Sequence, residues 1–116
     1  MDMIRIAKHM DQLTKRREKV AITLRHIRKE QAEIADETDW LDTAAYRSRM
    51  DLFDRLNAWY SGEMTAIDDA FGRIERKTYG TCLGCHGPVE SHRLDCFPEA
   101  AFCTDCQSMR EEVERA

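Results

Sequence analysis

An all-α fold is predicted, in which a long antiparallel two-helix coiled coil leads into a small C-terminal cysteine-rich knot closed by a short helix. Three observations predict it: two stretches carry apolar residues at heptad spacing, a short polar segment separates them, and four cysteines follow in two matched pairs. We expect the coiled-coil hairpin over residues 1–78, with its tip near 36–44, and the globular knot over 79–116.

The first helix is predicted from a series of positions spaced alternately four and three residues apart. Most of these positions are apolar, and neither Gly nor Pro interrupts the series. Such a series forms one stripe along a helix, which pairs with the stripe of a second helix and creates a shared seam. The predicted seam positions are Ile6, Met10, Leu13, Arg17, Val20, Leu24, Ile27, Gln31 and Ile34.

A second series with the same spacing predicts the partner helix. Asn57 is a polar seam residue of the kind that fixes the register of a coiled coil at some cost in stability. Gly62 and Gly72 are poor helix formers, each costing about 1 kcal/mol relative to Ala. Asp42 is predicted to cap the N-terminus of this helix. The seam positions are Tyr46, Met50, Phe53, Asn57, Tyr60, Met64, Ile67, Phe71, Ile74 and Thr78.

The charges are unevenly distributed around a net charge of −4. Residues 1–35 carry nine basic and five acidic residues, whereas residues 36–70 carry three and nine. The negative total argues against a dedicated DNA-binding protein. No segment resembles a secretory signal or a membrane span, so we expect a cytoplasmic protein without membrane contact.

The two cysteine pairs are the strongest chemical signal in the chain. Cys82 and Cys85 are separated by two residues, as are Cys103 and Cys106. Two such turns supply four thiolates around one point, which is the ligand set of a closed, structural zinc site. One structural Zn²⁺ is therefore predicted, and two disulfides or four free thiols are the alternatives. Cys96 is interpreted as a packed residue or, alternatively, a redox-sensitive thiol.

Acidic residues cluster at the predicted tip of the hairpin: Asp36, Glu37, Asp39 and Asp42. Acids are common at turns and helix N-termini, where they cap backbone N–H groups, so the cluster alone has an ordinary explanation. At the end of a two-helix hairpin, however, the same acids could enter a narrow channel and meet a metal ion or basic groups.

Two further surfaces are candidates for partner binding. The basic residues of the first helix could contact nucleic acid, but pairing with the acidic second helix is the favoured interpretation. Leu52, Leu56 and Trp59 form an apolar stripe outside the predicted seam, which favours a partner contact. The basic residues are Lys15, Arg16, Arg17, Lys19, Arg25, Arg28 and Lys29.

Three segments resemble the DksA/TraR family of bacterial transcription regulators. The first is Tyr79–Cys85, and the second combines Arg93–Pro98 with Phe102–Gln107. The third is the tip, where Asp39–Ala44 matches the family pattern Asp-x-x-Asp-x-Ala. Tip and knot also have the separation that the longer members of the family use, so the resemblance covers nearly the whole chain.

The resemblance implies a function without catalysis. Proteins of this family bind RNA polymerase rather than promoter DNA, and their coiled coil enters the secondary channel and changes the stability of the open complex. By resemblance, Asp39, Asp42 and Ala44 form the functional tip, and Arg93 contacts polymerase. A monomer without sequence-specific DNA binding is expected.

Departures from the family pattern imply a weak response to the alarmone ppGpp. Where the family has basic residues that help to bind ppGpp, this chain has Trp59, Ala66, Phe97 and Gln107. A polyphosphate requires cations or aligned backbone donors, which these side chains do not supply. The family's Cys-Gly at the second ligand is Cys85-His86 in this chain.

Three alternative functions remain open at this point. A transcript-cleavage factor of the Gre type would use the tip acids to recruit a catalytic magnesium. A zinc- or redox-sensing adaptor would respond through its thiols. A plain nucleic-acid-binding zinc finger is disfavoured by the negative charge. The sequence contains no motif for nucleophilic catalysis or phosphate binding, so no enzyme is predicted.

Overall fold

A computed structural model describes residues 2–37 and 43–115. Four helices follow one another: α1 (Met3–Glu37), α2 (Ala44–Glu75), α3 (Ser91–Cys96) and α4 (Thr104–Arg115). Within the described residues, the β-type pairing is one isolated bridge between Thr81 and Pro88. The predicted fold class is confirmed: two long helices, a cysteine cluster and a short closing helix. None of the described helices has the length and apolar character needed to cross a membrane.

Side chains cap the first turns of both long helices. The Asp2 carboxylate accepts a hydrogen bond from the backbone N–H of Arg5 (2.8 Å), which satisfies a free donor at the start of α1. The Thr43 hydroxyl accepts one from the N–H of Tyr46 (3.1 Å) at the start of α2. Thr43 therefore caps the start of α2. The predicted cap, Asp42, lies outside the described residues. Both residue types are good caps, and the helix begins at Ala44, which puts Thr43 in the capping position.

The chain divides into two compact units, Arg17–Thr65 and the combination of Met1–Arg16 with Ala66–Ala116. We call them the hairpin unit and the knot unit. The boundary at residue 78 between the coiled-coil hairpin and the globular knot, as two functional parts, stays a prediction.

The core of the hairpin unit follows the predicted seam. Val20, Leu24 and Ile27 of α1 are buried, as is Phe53 of α2. The two polar seam positions also meet, because the Asn57 amide Nδ2 donates a hydrogen bond to Gln31 Oε1 at 2.9 Å. The bond joins α1 to α2, which run antiparallel because only residues 38–43 connect them.

In the knot unit the buried face of α1 keeps the predicted seam residue Leu13, which is fully buried, but departs from the seam on either side of it. His9 is fully buried, whereas Met10 is exposed. Arg16, rather than Arg17, is part-buried, and its guanidinium lies 3.2 Å from the Glu99 carboxylate. The seam prediction at Met10 and Arg17 is therefore wrong, because α1 here contacts residues of the knot that the spacing of apolar residues in α1 does not reveal.

The buried face of α2 is also wider in the knot unit than a two-helix seam. Ile67, Ala70 and Arg73 are buried, whereas the predicted seam residue Thr78 is exposed. The Arg73 guanidinium donates to the backbone carbonyl of Glu99 at 3.2 Å. Burial lowers the pKa of Arg73, although the Asp69 carboxylate opposes that shift. The long side chain of Arg73 thus provides a hydrogen-bond donor for a backbone carbonyl of the knot.

The short helix α3 was not predicted. Its Leu94 is fully buried, and Asp95 faces α1, where its backbone carbonyl accepts a hydrogen bond from the Gln12 amide at 3.3 Å. Nε2 of His9 lies 3.8 Å from the Asp95 carboxylate, and the His9 ring lies against Tyr79 with centroids 5.8 Å apart. The start of α1 is thereby attached to α3.

Candidate metal centre and partner surfaces

The first cysteine pair lies on a tight turn that backbone hydrogen bonds close. The N–H of Cys82 donates to the carbonyl of Gly87 (2.8 Å), and the N–H of Val89 donates to the carbonyl of Gly80 (2.8 Å). Gly80 has φ of 86°, a left-handed conformation that glycine adopts without strain. These bonds curl residues 80–89 and bring the two cysteines of the pair together, with Cys82 buried and Cys85 exposed.

The second cysteine pair is positioned by α4 and by a link to the first turn. The N–H of Leu83 donates to the carbonyl of Ala101 at 2.9 Å, which ties the two segments together. Cys103 immediately precedes α4, and Cys106 lies in its first turn. The start of α4 is held by the Glu90 carboxylate, which accepts hydrogen bonds from the N–H and hydroxyl of Thr104 (3.1 and 3.2 Å). Those bonds lower the pKa of Glu90.

The four predicted ligands meet at one point. The Sγ atoms of Cys82, Cys85, Cys103 and Cys106 all lie within 4.8 Å of one another. Cys85 and Cys103 have a sulfur separation of 3.9 Å. A tetrahedral ion with Zn–S bonds of about 2.3 Å requires sulfur separations of about 3.8 Å, so this separation suits zinc.

A glycine between the first two ligands makes room for the fourth. A Cβ atom at Gly84 would lie 3.0 Å from Sγ of Cys106 and 3.3 Å from its Cβ. Any side chain at this position would therefore displace Cys106. The N–H of Gly84 also donates to Sγ of Cys82 (3.3 Å), as does the N–H of Cys103 (3.3 Å), and such donors stabilise a metal-bound thiolate.

The electrostatics of the four thiols also suit a divalent cation. Burial disfavours the thiolate of Cys82, but backbone N–H donors and the Cys106 thiol outweigh burial and lower the pKa of Cys82 to about 6. Interaction with the sulfurs of Cys103 and Cys82 raises the pKa of Cys106 to about 12. Four clustered thiolates repel one another, and the positive charge of Zn²⁺ would allow all four to ionise.

Residues 77–112 match the family described as the prokaryotic dksA/traR C4-type zinc finger. This part of the chain belongs to the dksA/traR zinc-finger family. Its four cysteines form the structural zinc site predicted from their spacing, with no ligand position left open for catalysis.

Similarity to known proteins extends well beyond the zinc finger. An uncharacterized protein of Aquifex aeolicus (strain VF5) is 32% identical over 104 residues, covering 84% of this chain and 70% of that protein. The structure of transcription factor DksA2 from Pseudomonas aeruginosa has a TM-score of 0.85 at 23% identity, over 99% of this chain and 89% of that chain. The second likeness shows that this chain shares the fold of DksA2.

The residues predicted to act on polymerase are only partly within the described chain. Asp39 and Asp42 lie outside the described residues. Ala44 is the first residue of α2 and is exposed, as is Asp36 near the end of α1. The Nε of Arg93 donates to the backbone carbonyl of Phe102 at 3.0 Å, and the side chain is half-buried.

The apolar stripe on α2 is exposed to solvent. Trp59 is 67% exposed and Leu52 is 50% exposed, and Leu56 between them is half-buried. An exposed apolar patch of this kind is typical of a surface that contacts a partner. Among the basic residues of α1, Lys15 pairs with Asp11 (3.0 Å) and Arg16 with Glu99 (3.2 Å).

Three structural roles escaped sequence reasoning: those of His9, Glu90 and Glu99. Each depends on a contact between segments far apart in sequence, such as the 14 residues that separate Glu90 from Thr104. For His9 the sequence offered one signal, which is a polar residue directly beside a predicted heptad position. For the two glutamates the sequence offered no local signal.

Proposed function

We propose that this protein is a transcription factor that binds RNA polymerase through the secondary channel and changes the stability of the promoter open complex. The observation that carries the proposal is the combination, in one chain, of a two-helix hairpin with a zinc finger of the dksA/traR type. The protein acts without catalysis of its own, as a monomer in the cytoplasm, and without sequence-specific DNA binding.

The loop between α1 and α2 is the proposed functional tip. Asp39, Asp42 and Ala44 match the family pattern there, and α1 and α2 carry this loop at their junction. A regulator shifts an equilibrium only by binding one state more tightly than another. The carboxylates of the tip therefore interact more favourably with one polymerase–promoter state than with the other.

Two further surfaces are proposed to contact polymerase. The exposure of Trp59 and Leu52 supports a role for the α2 stripe in binding, because aromatic residues commonly dominate interface energetics. Arg93 is the second proposed contact. Its Nε is used within the knot unit, which orients the guanidinium and leaves its other donors for a partner.

Potentiation by ppGpp is proposed to be weak or absent. Trp59 and Phe97 are exposed but apolar, and the Gln107 amide donates to Glu111 within α4 at 3.2 Å. Neither these residues nor Ala66 provides a cation for a phosphate group.

The proposal is tested with purified protein and RNA polymerase. We expect the protein to co-purify with core polymerase and to change initiation at a stringently controlled promoter, to the same extent with and without ppGpp. Asp42→Asn should keep polymerase binding and lose most of the effect on initiation. Asp51→Asn, which removes an exposed carboxylate from α2, is the matched control and should behave as the wild type.

Two outcomes would contradict the proposal. An unchanged effect of Asp42→Asn would remove the role of the tip. Cleavage of RNA in backtracked complexes on addition of the protein would instead indicate a Gre-type factor, in which the tip acids recruit magnesium to the polymerase.

A further inference from the structure

A polar pair interrupts the apolar core of the hairpin unit, in the last turns of α1. Nδ2 of Asn57 lies 2.9 Å from Oε1 of Gln31, and both side chains are half-buried. One turn away on either helix, Ile27 and Phe53 are buried apolar residues of the same seam. The hydrogen bond therefore joins α1 to α2 within a surface that is otherwise suited to apolar packing.

This pair is a poor way to stabilise the hairpin. The Oδ1 atom of Asn57 is buried and has no hydrogen-bond partner, so part of its hydration is lost without compensation. Two leucines in these positions would bury more apolar surface and leave no unsatisfied acceptor. The pair must therefore contribute something other than stability.

A hydrogen bond specifies alignment more narrowly than apolar contacts do. Its donor and acceptor tolerate shifts of only a few tenths of an ångström, whereas apolar side chains repack after larger displacements. Gln31 precedes the end of α1 at Glu37 by fewer than two helical turns. Asn57 follows the start of α2 at Ala44 by 13 residues, about 20 Å along the helix. An axial shift of α1 against α2 would displace the end of α1 relative to the start of α2 by the same amount.

We propose that Gln31 and Asn57 are positioning residues, whose hydrogen bond sets the axial alignment of α1 and α2, the two helices joined by the loop that carries Asp39 and Asp42. This inference rests on the proposed function, because the alignment matters through the action of the loop on polymerase. According to this inference, the pair determines how strongly the bound protein affects initiation. It does not determine the stability of the protein or its affinity for polymerase.

The test compares the double variant Gln31→Leu/Asn57→Leu with the exchanged pair Gln31→Asn/Asn57→Gln, which keeps both amides. We expect the double-leucine protein to melt at or above the temperature of the wild type and to bind polymerase with unchanged affinity. Its maximal effect on initiation, at saturating protein, should fall on the order of tenfold, because a displacement of about 1 Å is enough to disable a site. The exchanged pair should retain most of the effect.

A second measurement reports alignment without polymerase. Spin labels at Lys29→Cys and Arg55→Cys, both exposed positions, are placed in zinc-loaded protein that also carries Cys96→Ser. We expect one narrow distribution of the distance between the two labels, both in protein with the wild-type pair and in protein with the exchanged pair. The double-leucine protein should give a broadened or shifted distribution, by about 1.5 Å for each residue of slip.

These readouts separate the inference from the proposed function. An unchanged distance distribution in the double-leucine protein overturns the inference, as does a shifted distribution with full effect on initiation. A third outcome is that the wild type has no effect on initiation while the distance distribution of the double-leucine protein shifts. In that case the pair does set the alignment of α1 and α2, but the proposed function and the expected effect on polymerase fail.

Discussion

His86, which follows the second zinc ligand, has a backbone conformation that glycine adopts most readily. Its φ is 61°, where the Cβ of an L-residue approaches the following carbonyl oxygen. The DksA/TraR pattern has Gly at this position. We predict that His86→Gly stabilises the zinc-loaded protein by about 0.5–1 kcal/mol, because relief of this strain exceeds the added chain entropy of glycine.

Denaturant unfolding of zinc-loaded protein measures this change. His92→Gly is the matched control, because His92 is exposed within α3, where glycine should destabilise by about 1 kcal/mol. If both substitutions destabilise the protein, the contacts of the His86 side chain stabilise the fold by more than its backbone strain destabilises it.

Tyr79 couples the stability of the knot unit to alkaline pH. Its hydroxyl donates to the carbonyl of Pro98 at 2.7 Å, and burial raises the pKa of Tyr79 to about 12 from the ordinary value of 10.0. Because the folded state holds the phenolic proton more tightly, this stabilisation is complete below pH 10 and is lost as the pH rises towards 12.

The corresponding prediction concerns Tyr79→Phe. At pH 8 the variant should be less stable than the wild type by about 1 kcal/mol, the usual net value of one hydrogen bond. The difference should shrink at pH 11, because ionisation of Tyr79 then removes from the wild type the hydrogen bond that the variant lacks. Unfolding free energies of zinc-loaded protein at both pH values measure this, and a difference that grows with pH would contradict the assignment.

At the level of helices, α2 contains two glycines whose surroundings differ. No atom lies within 4 Å of the position that a Cβ of Gly62 would occupy, whereas a Cβ at Gly72 would lie 3.2 Å from the Arg76 guanidinium. We predict that Gly62→Ala raises the free energy of unfolding by about 1 kcal/mol, the difference in helix propensity. Gly72→Ala should gain less, because Arg76 must move. Chemical denaturation of both variants tests this order, and a larger gain for Gly72→Ala would contradict it.

The hairpin unit could be predicted from sequence because its helices pack mainly on each other. In that geometry each helix has one buried stripe, and local spacing alone identifies it. The spacing therefore selected Val20, Leu24, Ile27 and Phe53, all of which are buried, and placed Gln31 and Asn57 on facing stripes.

In the knot unit the same reasoning failed at the start of α1. His9 and Arg16 are buried or part-buried there, because Asp95 and Glu99 approach from segments more than 80 residues away in sequence. No periodicity within α1 contains that information. The cysteine cluster was predictable despite its long-range contacts, because zinc requires a specific number, type and spacing of ligands.

For the molecule as a whole, the two compact units depend on different sources of stability. The hairpin unit has an apolar seam of its own along two helices. Residues 79–103 form little regular structure, and their buried apolar residues are few: Tyr79, Cys82, Val89, Leu94, Pro98 and Cys103. A structural zinc site typically supplies about 10–16 kcal/mol of binding free energy, which is folding free energy for such a segment.

Removal of zinc should therefore affect the two units unequally. We predict that chelation abolishes the protection of backbone amides against hydrogen exchange over residues 79–107, while amides of the buried seam around Leu24 and Phe53 stay protected. Exchange measured by mass spectrometry before chelation, after chelation and after zinc is restored makes this comparison, and Cys96→Ser serves as a control for a cysteine outside the cluster. Equal loss of protection in both units would mean that they unfold as one cooperative body, and unchanged protection over 79–107 would mean that the knot folds without its metal.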